Sequence, residues 1–120
     1  MAKDDMEVIM YKILRYLYEC MKNGKVPELS EYGWESELFS IPKDYWMQII
    51  IEMVEKKYIK GFIILKTKTG TIVEVKEKPA LTMEGREFLL ENSTMAKVRD
   101  NIGEAFNVIL SGIFGKIIGL

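Results

Sequence analysis

Between Tyr58 and Thr82 the hydrophobic pattern leaves the helical period, and on either side of that stretch it is helical. In YIKGFIILKTKTGTIVEVKEKPAL, β-branched and aromatic residues flank Lys68-Thr69-Gly70 on both sides. Alternation around a glycine turn is the pattern of a β-hairpin. The pattern predicts one strand near 60–67, a tight turn at 68–70 and a second strand near 71–76. Lys76, Glu77, Lys78 and Pro79 break it, and Leu81 is available for a short return pairing. A two- to three-stranded hairpin inside an otherwise helical chain leaves few architectures open.

Three helices are expected before the hairpin. In the first, over 4–22, Met6, Ile9, Met10, Ile13, Leu14, Leu17 and Met21 recur at three- and four-residue steps. Asn23-Gly24 stops it. Val26-Pro27 is extended. Residues 28–38 read as a short second helix or turn with Leu29, Tyr32 and Leu38 as core contacts, although Gly33 weakens a helix there. The third helix is expected over 41–57, with Ser40 as N-cap and Pro42 in its first turn. Trp46, Ile49, Ile50, Met53 and Lys57 lie along one of its faces.

After the hairpin, Thr82 is placed to cap a fourth helix over 83–92, with Phe88, Leu89 and Leu90 partly buried. Gly85 falls in its first turn, where it costs about 1 kcal/mol relative to alanine. Clearance is the compensating reason, because a residue without a side chain lets this turn sit close to the hairpin or the first helix. Ser93 or Thr94 can cap a final helix over roughly 94–118. Ile102, Ala105, Phe106, Ile109, Leu110, Ile113, Ile117 and Leu120 form its apolar stripe. Exposing that stripe forgoes about 1.5–3 kcal/mol per large side chain, so it must be covered. The same helix of a second copy is the first choice of cover, and the chain's own first helix the second. A lipid interface is disfavoured with Lys116 as the only cation.

Helix, helix, helix, hairpin, helix is the order of a winged helix-turn-helix domain, here residues 1–93, with 94–120 as a C-terminal amphipathic helix for dimerisation or self-packing. The fold class is α+β, mostly α. The step Leu81, Thr82, Gly85, Arg86, Leu89 looks like the junction at which many winged-helix regulators leave the wing. The segments ILRYLYEC, DYWMQIIIEMVEKKYIKG and LTMEGREFLLENSTM together resemble the YjcQ-like family, small proteins of low-GC Gram-positive bacteria and their phages. The resemblance covers about residues 8–100 and implies the winged-helix fold; it brings no biochemical role with it.

Composition narrows the chemistry. The 120 residues carry 17 basic and 18 acidic side chains, a net charge of −1, so nothing global draws the chain to nucleic acid or anionic membranes. Without histidine the commonest general base and metal ligand is missing. One cysteine, Cys20, excludes a CxxC site and an intrachain disulfide, and fits a buried small hydrophobe in a reducing cytoplasm. No phosphate-cradling glycine motif, secretory leader or membrane span is read. Glu84, Glu87 and Glu91 read as a solvated helix face rather than a metal or acid–base site. No enzyme activity, cofactor or metal is expected.

Two binding roles remain. A winged helix that reads DNA uses its third helix and its wing. Lys43 and Gln48 on the helix, with Lys60, Lys66, Lys68 and Lys76 around the wing, are the nucleic-acid-binding candidates. Against this, Asp44, Met47, Gln48, Ile51, Glu52 and Glu55 point outward if Trp46 and Ile50 point inward, and none of the six is basic. The wing lysines equally serve to protect a strand edge. A protein partner would use Met47 and Ile51 with Phe106, Ile109, Ile113 and Ile117. The usual role of the fold puts a small DNA-binding regulator first and a protein-interaction module second.

Overall fold

A computed structural model describes residues 1–116. The elements run α1 (Met6–Asn23), α2 (Leu29–Tyr32), α3 (Lys43–Glu55), β1 (Ile59–Thr67), β2 (Gly70–Leu81), α4 (Met83–Glu91), α5 (Ser93–Ile102) and α6 (Glu104–Phe114). The expected hairpin is there: β1 and β2 pair antiparallel as a two-stranded sheet. Around it the domain is α+β and mostly helical, in a winged-helix-like arrangement.

The α1 helix is the spine. Ile9, Ile13, Leu14, Tyr16 and Leu17 are all essentially inaccessible, because the three- and four-residue spacing keeps them on a broad stripe. Met21, expected in that stripe, is half exposed near the helix end. Across from the spine lie Trp46, Ile49, Ile50 and Met53 of α3, together with Tyr32 and Leu38. Tyr16 stacks on Tyr32 with ring centroids 5.6 Å apart, and the Trp46 indole N–H donates to the Tyr32 carbonyl at 3.0 Å. The second helix is a single turn, and Leu29 on it is exposed rather than a core contact.

The start of α3 differs from expectation. Pro42, not Ser40, occupies the N-cap position, and Ser40 instead bridges to Glu35. The residue before a proline is pushed out of the helical region, so Ile41 cannot open the helix. At its other end α3 closes in a Schellman motif: the Tyr58 N–H donates to Met53 at 2.9 Å and the Lys57 N–H to Val54 at 3.0 Å. Lys57 therefore sits at φ 63°, the left-handed position usually held by glycine, and is exposed rather than on the apolar face.

The second strand is longer than the alternation predicts. Lys76 to Pro79 do not end it. They bulge opposite Gly61, and pairing resumes at Lys60↔Ala80 and Ile59↔Leu81. Gly61 makes the bulge fit. Its φ is 98°, and a Cβ there would lie 2.6 Å from the Lys78 carbonyl oxygen and 2.7 Å from Pro79 Cα.

Thr82 caps α4 as expected, its hydroxyl accepting from the Gly85 N–H at 2.9 Å while donating to the Lys57 carbonyl. Gly85 is the clearance point. A Cβ on it would fall 2.0 Å from the Tyr58 carbonyl oxygen, which itself accepts the Thr82 N–H at 3.0 Å. Next to this corner Tyr58 stacks on Phe88 with centroids 4.3 Å apart.

The expected single C-terminal helix is two. Gly103, at φ 80° and ψ 177°, breaks it between α5 and α6. Met95 and Val98 of α5 and Phe106 and Leu110 of α6 all join the core built on α1. Phe106 lies 6.0 Å from the Tyr11 ring and Phe114 5.9 Å from Tyr16, centroid to centroid. The stripe is thus covered in part by the chain's own first helix. Ile117 and Leu120 lie outside the described residues.

A candidate interaction surface between the third helix and the hairpin

Cross-strand register fixes which hairpin residues face α3. Phe62 pairs with Val75 and Ile64 with Val73, so these four share one face of the ribbon. Ile63↔Glu74 and Leu65↔Ile72 take the other. Where the first face meets α3 and the α2 turn there is an open groove of roughly 310 Å³. Phe62, Val73 and Val75 form one wall of it, and Trp46 and Met47 of α3 with Trp34 and Leu29 form the other. Among the described residues the charged ones lining it are Lys43 and, from the strand backbone between Val73 and Val75, Glu74.

The aromatic residues make this wall stiff. Trp34 and Trp46 meet edge to face with centroids 5.4 Å apart, and Tyr32 sits 6.4 Å from Phe62, also edge on. Burial moves the Tyr32 hydroxyl pKa up to about 12, so it stays neutral below the groove. Cys20, behind it in the core, is pushed by burial to about 11 and is no nucleophile at neutral pH. By contrast the groove's surface is exposed where a ligand would touch it: Val75 is 51% and Leu29 43% exposed.

The sequence-derived site residues fall into three groups. Lys60, Lys66, Lys68 and Lys76 are exposed on the hairpin. Lys43 is drawn over the Trp34 ring, its ammonium 5.0 Å from the centroid, at the groove rim. Gln48 is exposed, and its amide donates to Glu52 at 3.3 Å, one turn on. With Asp44 and Glu55 also exposed, the outer face of α3 is acidic, with no basic side chain between Lys43 and Lys56. Met47 and Ile51 are half-buried, and Met47 lines the groove.

On α6, Phe106 is 3% exposed and its side chain is enclosed within the chain, while Ile109 and Ile113 are half-buried. The structure does not bring these α6 residues together with Met47 in the groove. Sequence reasoning missed Trp34, Phe62, Val73 and Val75. The two-residue alternation of the strands held the signal for the last three, and the register supplies what alternation alone lacks: which face turns to α3.

These features define a class, a small α+β domain whose two-stranded hairpin stands beside the third of its helices in a winged-helix-like arrangement. The family model of the YjcQ protein matches residues 11–105, from the middle of α1 into the start of α6, and the chain belongs to that family. No curated protein and no solved structure matches the chain. Among the described residues no helix is long and apolar enough to cross a membrane.

Proposed function

We propose that this chain is a winged-helix protein-interaction module that seats an apolar anchor, carried on a basic segment of a partner protein, in the groove between α3 and the hairpin. One observation carries the reading. The groove is apolar where the helix faces the wing, and beyond Lys43 at its rim the outer face of α3 carries Asp44, Glu52 and Glu55 with no cation before Lys56. Phosphate neutralisation supplies most non-specific affinity for DNA, so an acidic helix face opposes a duplex and attracts a basic peptide. Each buried anchor side chain contributes about 1.5–3 kcal/mol. Partly exposed aromatic walls of this kind are the usual seat of interface hot spots. The lone buried thiol suits a reducing cytoplasm.

Selection of peptides from a random display library on the full chain tests this. Enriched peptides should carry an aromatic or large aliphatic residue next to lysine or arginine, and Val75→Glu should abolish their retention. Enrichment of acidic peptides, or binding indifferent to Val75→Glu, would overturn it.

A second reading, a small DNA-binding regulator, is supported by the exposed hairpin lysines Lys60, Lys66, Lys68, Lys76 and Lys78. It requires duplex binding that weakens steeply with salt, with a slope flattened by about one per phosphate-contacting lysine removed. Anisotropy titrations of Lys66→Ala and Lys68→Ala measure that slope.

A further inference from the structure

A second hollow, of roughly 200 Å³, lies where α1, α4 and α5 meet. From α1 it takes Tyr11, Arg15, Tyr18 and Lys22, whose spacing of four, three and four keeps them on one helix face. Leu89 and Leu90 of α4 and Arg99 of α5 complete the lining. Three cations and no carboxylate line it. Glu19, on the same helix, is 2% exposed and is already held by Arg15 at 3.3 Å and Lys22 at 3.1 Å. Counting Glu19 and Asp100 against the three cations leaves an excess of one positive charge (3 − 2 = 1).

Charge alone selects an anion; the walls select its body. Tyr18 and Leu90, the latter 43% exposed, give the open apolar walls, with the buried Tyr11 and Leu89 behind them. Lys22 lies 4.7 Å from the Tyr18 ring centroid, so that ring is held beside the cation. Arg99, its side chain 42% exposed, pairs with its more exposed neighbour Asp100 at 3.3 Å, a contact weak enough for another carboxylate to displace. The seven lining residues all sit within helices beyond the first turn, so the helix N-termini that bind phosphate oxygens are not part of the lining. The volume is below that of a site for a drug-sized ligand, roughly 300–1,000 Å³.

We infer that this hollow binds a small amphipathic monocarboxylate, an aromatic or short aliphatic acid. Its carboxylate meets Arg99 and Lys22, and its body lies on Leu90 and the Tyr18 ring, above Leu89. The site is separate from the α3–hairpin groove and does not rest on the role proposed for it.

The test is an NMR titration of the ¹⁵N-labelled full chain with benzoate and with hexanoate, each against its neutral amide. Saturable shifts are expected at Tyr18, Leu89, Leu90 and Arg99 with at least one acid, with Kd on the order of 1 mM or tighter. The matching amide should bind at least about tenfold more weakly, and Arg99→Gln should cost the acid about tenfold as well. Arg99→Gln should move the unfolding midpoint little, because its ion pair is with an exposed neighbour, Asp100, and such pairs contribute little to stability. Three outcomes would overturn the inference: no saturation by either acid up to about 10 mM, amides that bind as tightly as the acids, or saturable shifts centred elsewhere on the chain.

Discussion

Replacing Gly85 by alanine puts a methyl group where the fold has none to spare. Its carbon would stand 2.0 Å from the Tyr58 carbonyl oxygen, 2.8 Å from the Tyr58 carbonyl carbon and 2.9 Å from Leu81 Cδ1. The first two atoms are backbone, fixed between the Schellman closure of α3 and the first residue of β1. They cannot rotate away as a side chain would, so the overpacking cost belongs at the upper end of its range, about 3 kcal/mol. Displacing the Tyr58 carbonyl also weakens its bond from Thr82 N–H, at about 1 kcal/mol. Alanine's helix preference returns about 1 kcal/mol. The net is a destabilisation of about 3 kcal/mol. Gly112, in α6, is the control: a Cβ there meets nothing within 4 Å, so Gly112→Ala should stabilise by up to about 1 kcal/mol. Urea unfolding of both variants reads the difference. A Gly85→Ala protein as stable as the parent would refute the clearance argument.

Three further outcomes are expected. Lys57→Gly should raise stability by about 1 kcal/mol in the same urea assay, since it relieves a left-handed non-glycine residue whose side chain is in solvent. Asn107 is buried at 3% exposure with neither amide atom hydrogen-bonded among the described residues, so Asn107→Leu should raise the unfolding free energy by about 1–3 kcal/mol. Burial raises the pKa of Cys20 from 9.0 to about 11 and of Tyr32 from 10.0 to about 12. Between those values the folded chain holds protons that the unfolded chain releases, so stability is full below pH 9.0 and falls as pH rises through about 11 and 12. Urea midpoints that stay level across that window would contradict the assignment.

What could be read from the chain alone was decided by local chemistry. Thr82 and Gly85 announce the α4 corner because a capping hydroxyl and a missing side chain are both properties of single residues. The hairpin was legible from alternation, and the α1 stripe from its period. The extent of β2 was not. Pro79 ends a strand in most contexts, but here a bulge closed over Gly61 lets pairing resume beyond it, and that depends on a residue eighteen positions earlier. The break at Gly103 was hidden because the apolar stripe runs through it with little change of phase. The groove was half legible: the outward set on α3 follows from its period, whereas its partners Phe62, Val73 and Val75 needed the strand register.

The most direct measurement of whether α3 and the hairpin together form a protein-docking groove is a residue-by-residue NMR map of the full chain under two titrants. One is a display-selected basic peptide with an apolar anchor, the other a duplex at low salt. The account predicts that the peptide moves the Trp34 indole and the amides of Met47, Val73 and Val75. The duplex should leave Asp44, Gln48, Glu52 and Glu55 where they were. Saturable duplex-induced shifts along that helix face, with the groove silent to the peptide, would contradict it.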